Sequence, residues 1–399
     1  MGTVTTEDDV CQALESSNES SFFGGSSAAN FAKEACASAK VRHATQISLK
    51  QPLRKTALGV QQRGHLVFAQ ADKYALPPRP LADHLLDRYF ERVYWNYPFF
   101  HKHTFLHAYE SLWRSSHERQ PVDEPPSGVG LGSAPGADAS TIVFHTGLNA
   151  ILALGCQFSD LSAEDKILAT NTFFQRSKAL IGLDFIDMNN IGVVQSLLLL
   201  TLFLQCTPYP NSCWNAIGMA CRVAQGLGLH IEGGRSRTPL EREIRRRTWH
   251  GCVVLDLIVS MTFGRPAMTA HLLPLPLPSV EEFDTADTSA DGQAISPNDV
   301  PSKISFYTQY IEQCKILGEI LSIYQFSSGP PESAFGPHGM DAIIRLDTKL
   351  LKYEDGLGPT MSWKGPSKLD HLEPDRKRII VTQREFLHAR SVLSLLAVE

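Results

Sequence analysis

The chain has 399 residues, of which 43% are hydrophobic and 20% are charged, and this composition excludes global disorder. Its 37 basic and 42 acidic residues give a formal net charge of -5, which excludes a chain-wide electrostatic attraction to DNA or to an anionic membrane. Any binding to nucleic acid must therefore be local, and no membrane partner is expected.

The amino-terminal part of the chain predicts a tail followed by a helical hairpin. Residues 1–76 are rich in Ser, Ala, Gln and Thr and contain the low-complexity stretch SSNESSFFGGSSAAN, which predicts a disordered tail. The folded domain is expected over 77–284, beginning at the sequence PPRP. Its first helix ends at Pro98, and a second helix begins near Thr104. The first helix carries an apolar stripe at helical spacing, made of Leu81, Leu85, Leu86, Tyr89, Phe90, Val93 and Tyr94.

Two groups of residues raise the question of a metal site. His101, His103 and His107 lie close together, but no carboxylate or cysteine adjoins them, and the neighbouring phenylalanines favour a packing role. The eight cysteines include no CxxC pair, and most lie within apolar helical sequence. This distribution favours reduced, buried thiols over zinc ligands. No metal or other cofactor is therefore expected.

A loop insertion and a succession of helices follow the hairpin. Proline and glycine residues predict an exposed loop over 115–140, which ends in GVGLGSAPGADAS. No strand alternation interrupts the sequence after it, and the loops between the periodic segments are short. The predicted fold class is therefore all-α, an array of antiparallel amphipathic helices. Helices are predicted over about 141–158, 162–182, 188–206, 211–228 and 239–262.

The carboxyl-terminal part is predicted to contain a linker and further helices. The residues of 271–302 favour an extended and then an acidic segment that crosses the surface, and a linker is predicted over 285–302. The region 303–399 is expected to continue the same domain, with helices over about 304–324 and 374–399.

The stretch Thr238–Pro266 carries signals for a complete helix. Thr238 suits the cap, Pro239 suits the first helical position, and Glu241 stands three residues after the cap, as in a capping box. At the other end, Gly264 in the sequence GRP predicts a left-handed cap and a stop.

The same helix carries a cluster of arginines. Arginine dominates contacts to phosphate, so the cluster suggests a nucleic-acid patch. However, Glu241 and Glu243 are interleaved with it, and Arg245 lies four residues after Glu241. Such pairing favours a solvated or interdigitated helix face over a nucleic-acid footprint. The cluster consists of Arg242, Arg245, Arg246 and Arg247.

A catalytic interpretation finds little support in the sequence. There is no GxSxG elbow, no HExxH, no phosphate-binding loop and no kinase motif set. Asp256 is isolated on an apolar helix and is expected to cap or to pair with an arginine. The only adjacent aspartate pair, at 8–9, lies in the predicted tail. The protein is therefore not expected to be an enzyme, although an unrecognised all-α enzyme is kept as an alternative.

Four motifs occur in order: RVAQGLGLH, EREIRRRTW, LD and GRP. This set resembles the fungal-specific transcription factor domain, the middle homology region of fungal zinc-cluster regulators. The sequence over 78–105 resembles the first hairpin of that family, so that the resemblance covers about 78–284. The signature positions that it identifies as structural or regulatory are Arg222, Gly228, His230, Glu241, Arg245, Arg246, Arg247, Trp249, Asp256, Gly264, Arg265 and Pro266.

The resemblance also implies a role. The family's zinc cluster, built on two CxxC pairs, has no counterpart in this sequence, and Cys11 and Cys36 cannot replace it. The resemblance therefore implies a nuclear regulator of a metabolic gene set, possessing the helical domain and contacting DNA weakly or indirectly. A DNA-binding partner, a homodimer and a small-molecule effector are the partners it implies. A stand-alone ligand-binding or interaction module, in the cytoplasm, is the alternative.

Overall fold

The described part of the chain folds into helices. A computed structural model describes residues 74–114, 129–134, 136–188, 190–232, 237–269, 275–279, 302–326, 337–364, 369 and 372–396. Within these ranges all of the regular secondary structure is helical, which confirms the all-α fold class. Residues 1–73 of the predicted tail, and the predicted linker up to residue 301, lie outside the described residues.

The predicted helices lie within a few residues of their expected bounds, and a short helix, Leu183–Asp187, follows the predicted 162–182 segment. A helix also forms over Pro337–Asp355, where none is predicted. In chain order the helices are α1 Arg79–Tyr89, continued by a π-helical turn Phe90–Tyr94, α2 Lys102–Ser111, α3 Ile142–Gln157, α4 Ala163–Leu180, α5 Leu183–Asp187, α6 Ile191–Gln205, α7 Pro210–Gly226, α8 Pro239–Phe263, α9 Ser305–Phe326, α10 Pro337–Asp355 and α11 Pro374–Leu396.

The first two helices form the predicted aromatic hairpin. Rings of Tyr89, Phe90, Tyr94, Phe100 and Phe105 lie with centroids about 5 to 6.5 Å apart, mostly edge to face or tilted. The Tyr94 hydroxyl donates a hydrogen bond to the carbonyl of Phe100 at 2.8 Å, which closes the turn between the helices. This hairpin provides one wall of the hydrophobic core.

One of the three histidines beside the hairpin, His101, has a structural role at the start of α2. His101 is the residue before the helix, and its Nδ1 lies 2.7 Å from the Thr104 hydroxyl and 3.4 Å from the Thr104 backbone nitrogen. A helix start leaves backbone N–H groups without partners, and this ring satisfies one of them. Among the described residues, no three His, Cys, Asp or Glu side chains are arranged to hold a metal ion.

Two central helices, α3 and α6, are buried on nearly every side. Helix α3 packs against α1, α4 and α6, while α6 packs against α3, α7 and α8. A helix with neighbours all around has almost no solvent face, so most of its residues are apolar. None of the helices in the described ranges is long and apolar enough to span a membrane.

The contact between α1 and α3 depends on a glycine. A Cβ atom on Gly155 would lie 2.1 Å from the carbonyl oxygen of Leu85, which belongs to the backbone of α1. No side chain fits in that space without moving one helix away from the other. Glycine therefore allows the two backbones to approach each other directly.

The loop before α3 is partly buried, contrary to its predicted exposure. Leu131 is fully buried, and a Cβ on Gly132, which has φ of 91°, would lie 2.6 Å from the Thr104 carbonyl oxygen. The Gln195 side chain holds this loop: its Oε1 accepts from the Leu131 backbone N–H at 2.8 Å. The predicted exposure is thus wrong for residues 129–133, and residues 115–128 lie outside the described ranges.

The same amide also reaches two other segments. The Nε2 atom of Gln195 donates to the Phe99 carbonyl at 2.8 Å and lies 3.1 Å from the Thr248 hydroxyl. Gln195 is fully buried in the middle of the otherwise apolar α6. One side chain therefore links the hairpin, the loop before α3, and α8.

Helix α9 packs against α8, α10 and α11. Two buried glutamines tie α11 to earlier segments. The side chain of Gln313 on α9 donates to the Leu387 carbonyl at 3.0 Å, and the side chain of Gln383 donates to the Trp95 carbonyl at 3.2 Å. The last helix thereby contacts the hairpin near the start of the domain.

Candidate functional site

The signature residues gather where α7, α8 and the segment after α8 meet. The predicted ends of α8 are confirmed: the Thr238 side chain accepts from the Glu241 backbone N–H at 3.1 Å, and Pro239 occupies the first turn. Gly264 closes the helix with φ of 62°, in the left-handed region that glycine tolerates best. Glu241 forms an ion pair with Arg237 at 3.3 Å, not with Arg245 as its spacing suggested.

One arginine of the cluster is completely buried. Arg247 has no exposed surface, and its Nε lies 2.7 Å from Oε1 of Glu243, which is only 3% exposed. The other oxygen of Glu243 accepts from the Ser279 backbone N–H at 2.9 Å, and Tyr307 donates to the Arg247 carbonyl at 2.9 Å. The prediction of a solvated helix face is therefore wrong for Arg247 and Glu243, because the 275–279 segment and α9 cover them.

The next two arginines hold the end of α7. Arg245 donates to the carbonyls of Leu227 at 2.9 Å and of Gly228 at 3.3 Å. The last carbonyls of a helix lack internal partners, and an arginine is a suitable donor for them. Gly228 has φ of 64°, which turns the chain away from α7. Arg246 pairs with Glu232 just beyond that turn.

The two longest motifs contact each other through aromatic rings. Trp249 is 1% exposed, as expected from the sequence, and its ring centroid lies 5.8 Å from that of His230. The LGLH turn is thereby packed onto α8 one turn beyond the arginines. Arg222, the first residue of the same motif, is exposed on α7.

Asp256 organises the segment that follows α8. It is 1% exposed, and its Oδ2 accepts three hydrogen bonds of 2.8 Å, from the backbone N–H groups of Met268 and Thr269 and from the Thr269 hydroxyl. Of the two roles predicted for Asp256, capping of backbone groups is the one found among these contacts. Burial raises the pKa of this carboxyl, and the Thr269 hydrogen bonds partly offset that shift.

The GRP motif fixes the same segment to α7. Arg265 donates to the Asn211 side chain at 2.8 Å, and its guanidinium lies 5.5 Å from the ring centroids of both Trp214 and Phe263. Cation–π contacts of this kind favour a fixed orientation of arginine over an aromatic face. Pro266 is exposed beside it. The motif is therefore a structural joint between two helices.

The pKa of Asp256 predicts a pH effect that the variant Asp256→Asn isolates. Because the folded pKa is raised, ionisation opposes folding, and the wild type gains stability relative to the variant as the pH falls through the folded pKa toward the unfolded value. Guanidinium unfolding of both proteins between about pH 4 and pH 7 measures this difference. Burial lowers the pKa of His250, which acts in the opposite direction in both proteins.

His250 contributes equally to the pH dependence of stability in the wild type and in Asp256→Asn, so its contribution cancels in the difference between them. A stability difference that does not change with pH, or that moves in favour of the variant on acidification, contradicts a raised pKa at Asp256. Asp256→Ala serves as a second variant, because it removes the acceptor of the Met268 and Thr269 N–H groups and is expected to cost about 1 to 3 kcal/mol at every pH.

Four half-buried arginines of this region line a cleft. The cleft opens to solvent and lies between the LGLH turn and the first turns of α8, and the space of about 240 Å³ between its walls includes part of that open solvent. Leu229, Ile231 and Leu275 give it apolar walls, and Glu232 also lines it. We call it the arginine cleft, after the four arginines that line it: Arg237, Arg242, Arg245 and Arg246.

The cysteines of the described residues are free thiols. Five of them are buried in the helical core, as predicted, and Cys206, at the end of α6, is exposed, contrary to that prediction. Burial raises the pKa of Cys156 to about 11 and that of Cys314 to about 12, so both remain protonated at neutral pH. Their role is packing.

Curated proteins with similar sequences are fungal regulators. The chain is 33% identical over 199 residues to the acetamidase regulatory protein of Aspergillus fumigatus, a match covering 49% of this chain and 22% of that protein. It is 28% identical over 213 residues to sorbicillinoid biosynthetic cluster transcription factor 2 of Penicillium rubens, covering 51% and 28%. It is 27% identical over 260 residues to cutinase transcription factor 1 alpha of Fusarium vanettenii, covering 64% and 26%.

Each of these matches covers only part of a longer protein. The aligned part spans about a quarter of the length of each of these relatives. No solved structure matches the chain significantly. The sequence profile described as the fungal specific transcription factor domain matches residues 86–345, which is well over half of the chain and includes all of the signature residues. The chain therefore belongs to the fungal specific transcription factor domain family.

Proposed function

We propose that this protein regulates transcription in the nucleus, and that its helical domain acts on the expression of a metabolic gene set. The observation that carries the proposal is the family match over residues 86–345. The names of similar proteins, which refer to an acetamidase, a biosynthetic cluster and a cutinase, support the metabolic gene set. The arrangement of the signature residues supports a regulatory scaffold in place of a catalytic site.

The proposal assigns DNA recognition to a module other than the described helices. Three of the four arginines that suggested a DNA patch are engaged otherwise: Arg247 is buried in an ion pair, Arg245 caps α7, and Arg246 pairs with Glu232. The net charge of -5 gives no general attraction to phosphate. A DNA-binding module outside the described residues, carried by this protein or by a partner, completes the regulator.

A tethering experiment tests this role. The chain is fused to an unrelated DNA-binding domain and expressed in a fungal host that carries a reporter with the matching binding site. We expect reporter expression to change severalfold relative to the DNA-binding domain alone. Without the fusion, the chain is expected to show no nanomolar, sequence-selective binding to DNA in a titration.

The Trp249→Ala variant is the control for folding, because Trp249 is fully buried and lies apart from the protein's exposed surface. A fusion that is expressed and folded but leaves the reporter unchanged contradicts a regulatory role. Selective DNA binding by the chain alone contradicts the proposal that a separate module recognises DNA.

A further inference from the structure

The arginine cleft carries an excess of positive charge. Arg237 is paired with Glu241, and Arg246 with Glu232. Of the other two, Arg242 forms no ion pair with any described residue, and Arg245 donates to neutral carbonyls and lies within the electrostatic reach of Glu241. The four arginines of the cleft thus outnumber the two carboxylates beside them, Glu232 and Glu241, which leaves an excess of positive charge around the concave surface.

Two of the arginines that line the cleft are incompletely satisfied. The Nε atom of Arg246 is buried and has no hydrogen-bond acceptor among the described residues, although Glu232 pairs with another nitrogen of the same guanidinium. A buried donor without an acceptor is costly, and a bound oxyanion supplies one. Burial lowers the pKa of the Arg245 guanidinium, repulsion from Arg237 lowers it further, and attraction to Glu241 partly offsets both. An anion in the cleft relieves that repulsion.

The cleft is open to solvent, and the space of about 240 Å³ between its walls includes part of that open solvent. A small molecule can reach the arginines through this opening. Leu229, Ile231 and Leu275 give it apolar walls that contact a short carbon skeleton. The phosphates of duplex DNA lie on a convex surface, whereas these donors converge on a concave one. Arginine forms bidentate hydrogen bonds with carboxylate and phosphate alike.

We propose that the arginine cleft is a binding site for a small dianionic metabolite that carries two carboxylates or a phosphate. Arg242 and Arg237 contact its charged groups, Arg246 Nε donates to one oxygen, and the leucine and isoleucine side chains contact its carbon skeleton. The site joins the LGLH turn to α8 through Arg245, so occupancy stabilises the packing of α7 on α8. This binding does not depend on the proposed role in transcription.

A thermal unfolding titration of the full chain tests the site. Inorganic phosphate and malonate are the probes, and sodium chloride keeps the ionic strength constant. We expect Tm to rise with either probe and to reach saturation, since a ligand that binds only the folded state stabilises it. In calorimetry, the double variant Arg237→Gln/Arg242→Gln is expected to bind the same probes about tenfold more weakly or worse.

The matched control is Arg222→Gln. It makes the same change to an arginine that is exposed on α7 and does not line the cleft. This variant is expected to bind both probes as the wild type does. The circular dichroism of both variants should match that of the wild type, because Arg242 has no ion pair to lose and Arg237 has only a surface one.

Three results overturn the proposal. The first is a rise in Tm that sodium chloride alone reproduces. The second is unchanged affinity in the double variant. The third is Arg242-dependent binding of a short DNA duplex without any response to malonate or phosphate, which assigns the cleft to nucleic acid. Failure of the tethered reporter leaves the anion titration unaffected, so the two proposals fail separately.

Discussion

Replacing Glu243 with leucine is expected to lower the free energy of unfolding by about 3 to 5 kcal/mol. The substitution leaves the fully buried Arg247 guanidinium without the carboxylate that lies 2.7 Å away. It also removes the acceptor of the Ser279 N–H. A buried charge without its partner is far more costly than a surface charge, because water cannot reach it. Denaturant unfolding followed by circular dichroism measures the loss.

A second substitution separates the cost of the lost ion pair from the loss of packing. The double variant Glu243→Leu/Arg247→Met replaces the whole pair with apolar side chains, and we expect it to lie within about 2 kcal/mol of the wild type. Glu232→Gln breaks an exposed pair with Arg246 and is expected to cost at most about 1 kcal/mol. A double variant that is less stable than the single variant contradicts this account of the pair.

Replacing Trp249 with alanine is expected to lower the free energy of unfolding by about 3 to 5 kcal/mol. Trp249 is the largest fully buried side chain, and its ring lies against His230, so that truncation leaves a cavity between α8 and the LGLH turn. The surrounding helices cannot close that cavity without losing their own contacts. Trp249→Phe fills part of the space and is expected to recover a large share of the loss.

Trp214→Ala is the matched control, because Trp214 is only half-buried and packs beneath Arg265 at the surface. Its loss of stability is expected to be clearly smaller than that of Trp249→Ala. Both are measured by the ellipticity of the helices during denaturant unfolding, since tryptophan fluorescence changes with the substitutions themselves. Equal losses for the two variants contradict the placement of Trp249 in the core.

The local signals of the sequence predicted the ends of helices well. Thr238 and Gly264 act where helix chemistry requires a cap, and both residues occupy those positions in the structure. The spacing of Leu346, Leu350 and Tyr353 also carries a helical signal, but no helix is predicted over α10. Exposed apolar residues on the same helix, Met340 and Ile344, obscure its narrow buried stripe.

The environment of the arginines could not be predicted in the same way. The interleaved glutamates show that Arg247 has a partner at helical spacing, but they do not show which segment covers the pair. That cover comes from residues 275–279 and from Tyr307, which are distant in the sequence. Likewise, glycines near 130 suggest an exposed loop, while the Gln195 acceptor that buries it lies 64 positions from Leu131. Tertiary contacts of this kind leave no local pattern.

Gln195 also affects how α6 is oriented among the helices that surround it. Helix α6 presents leucines on every side, and an apolar surface of nearly uniform shape fits its neighbours at several rotations about the helix axis. Only one rotation brings the amide to the Leu131 N–H and the Phe99 carbonyl together. At any other angle, a polar group is buried without partners. A single amide thus selects the orientation of the central helix, and the leucines, which supply most of the attraction, need not encode it.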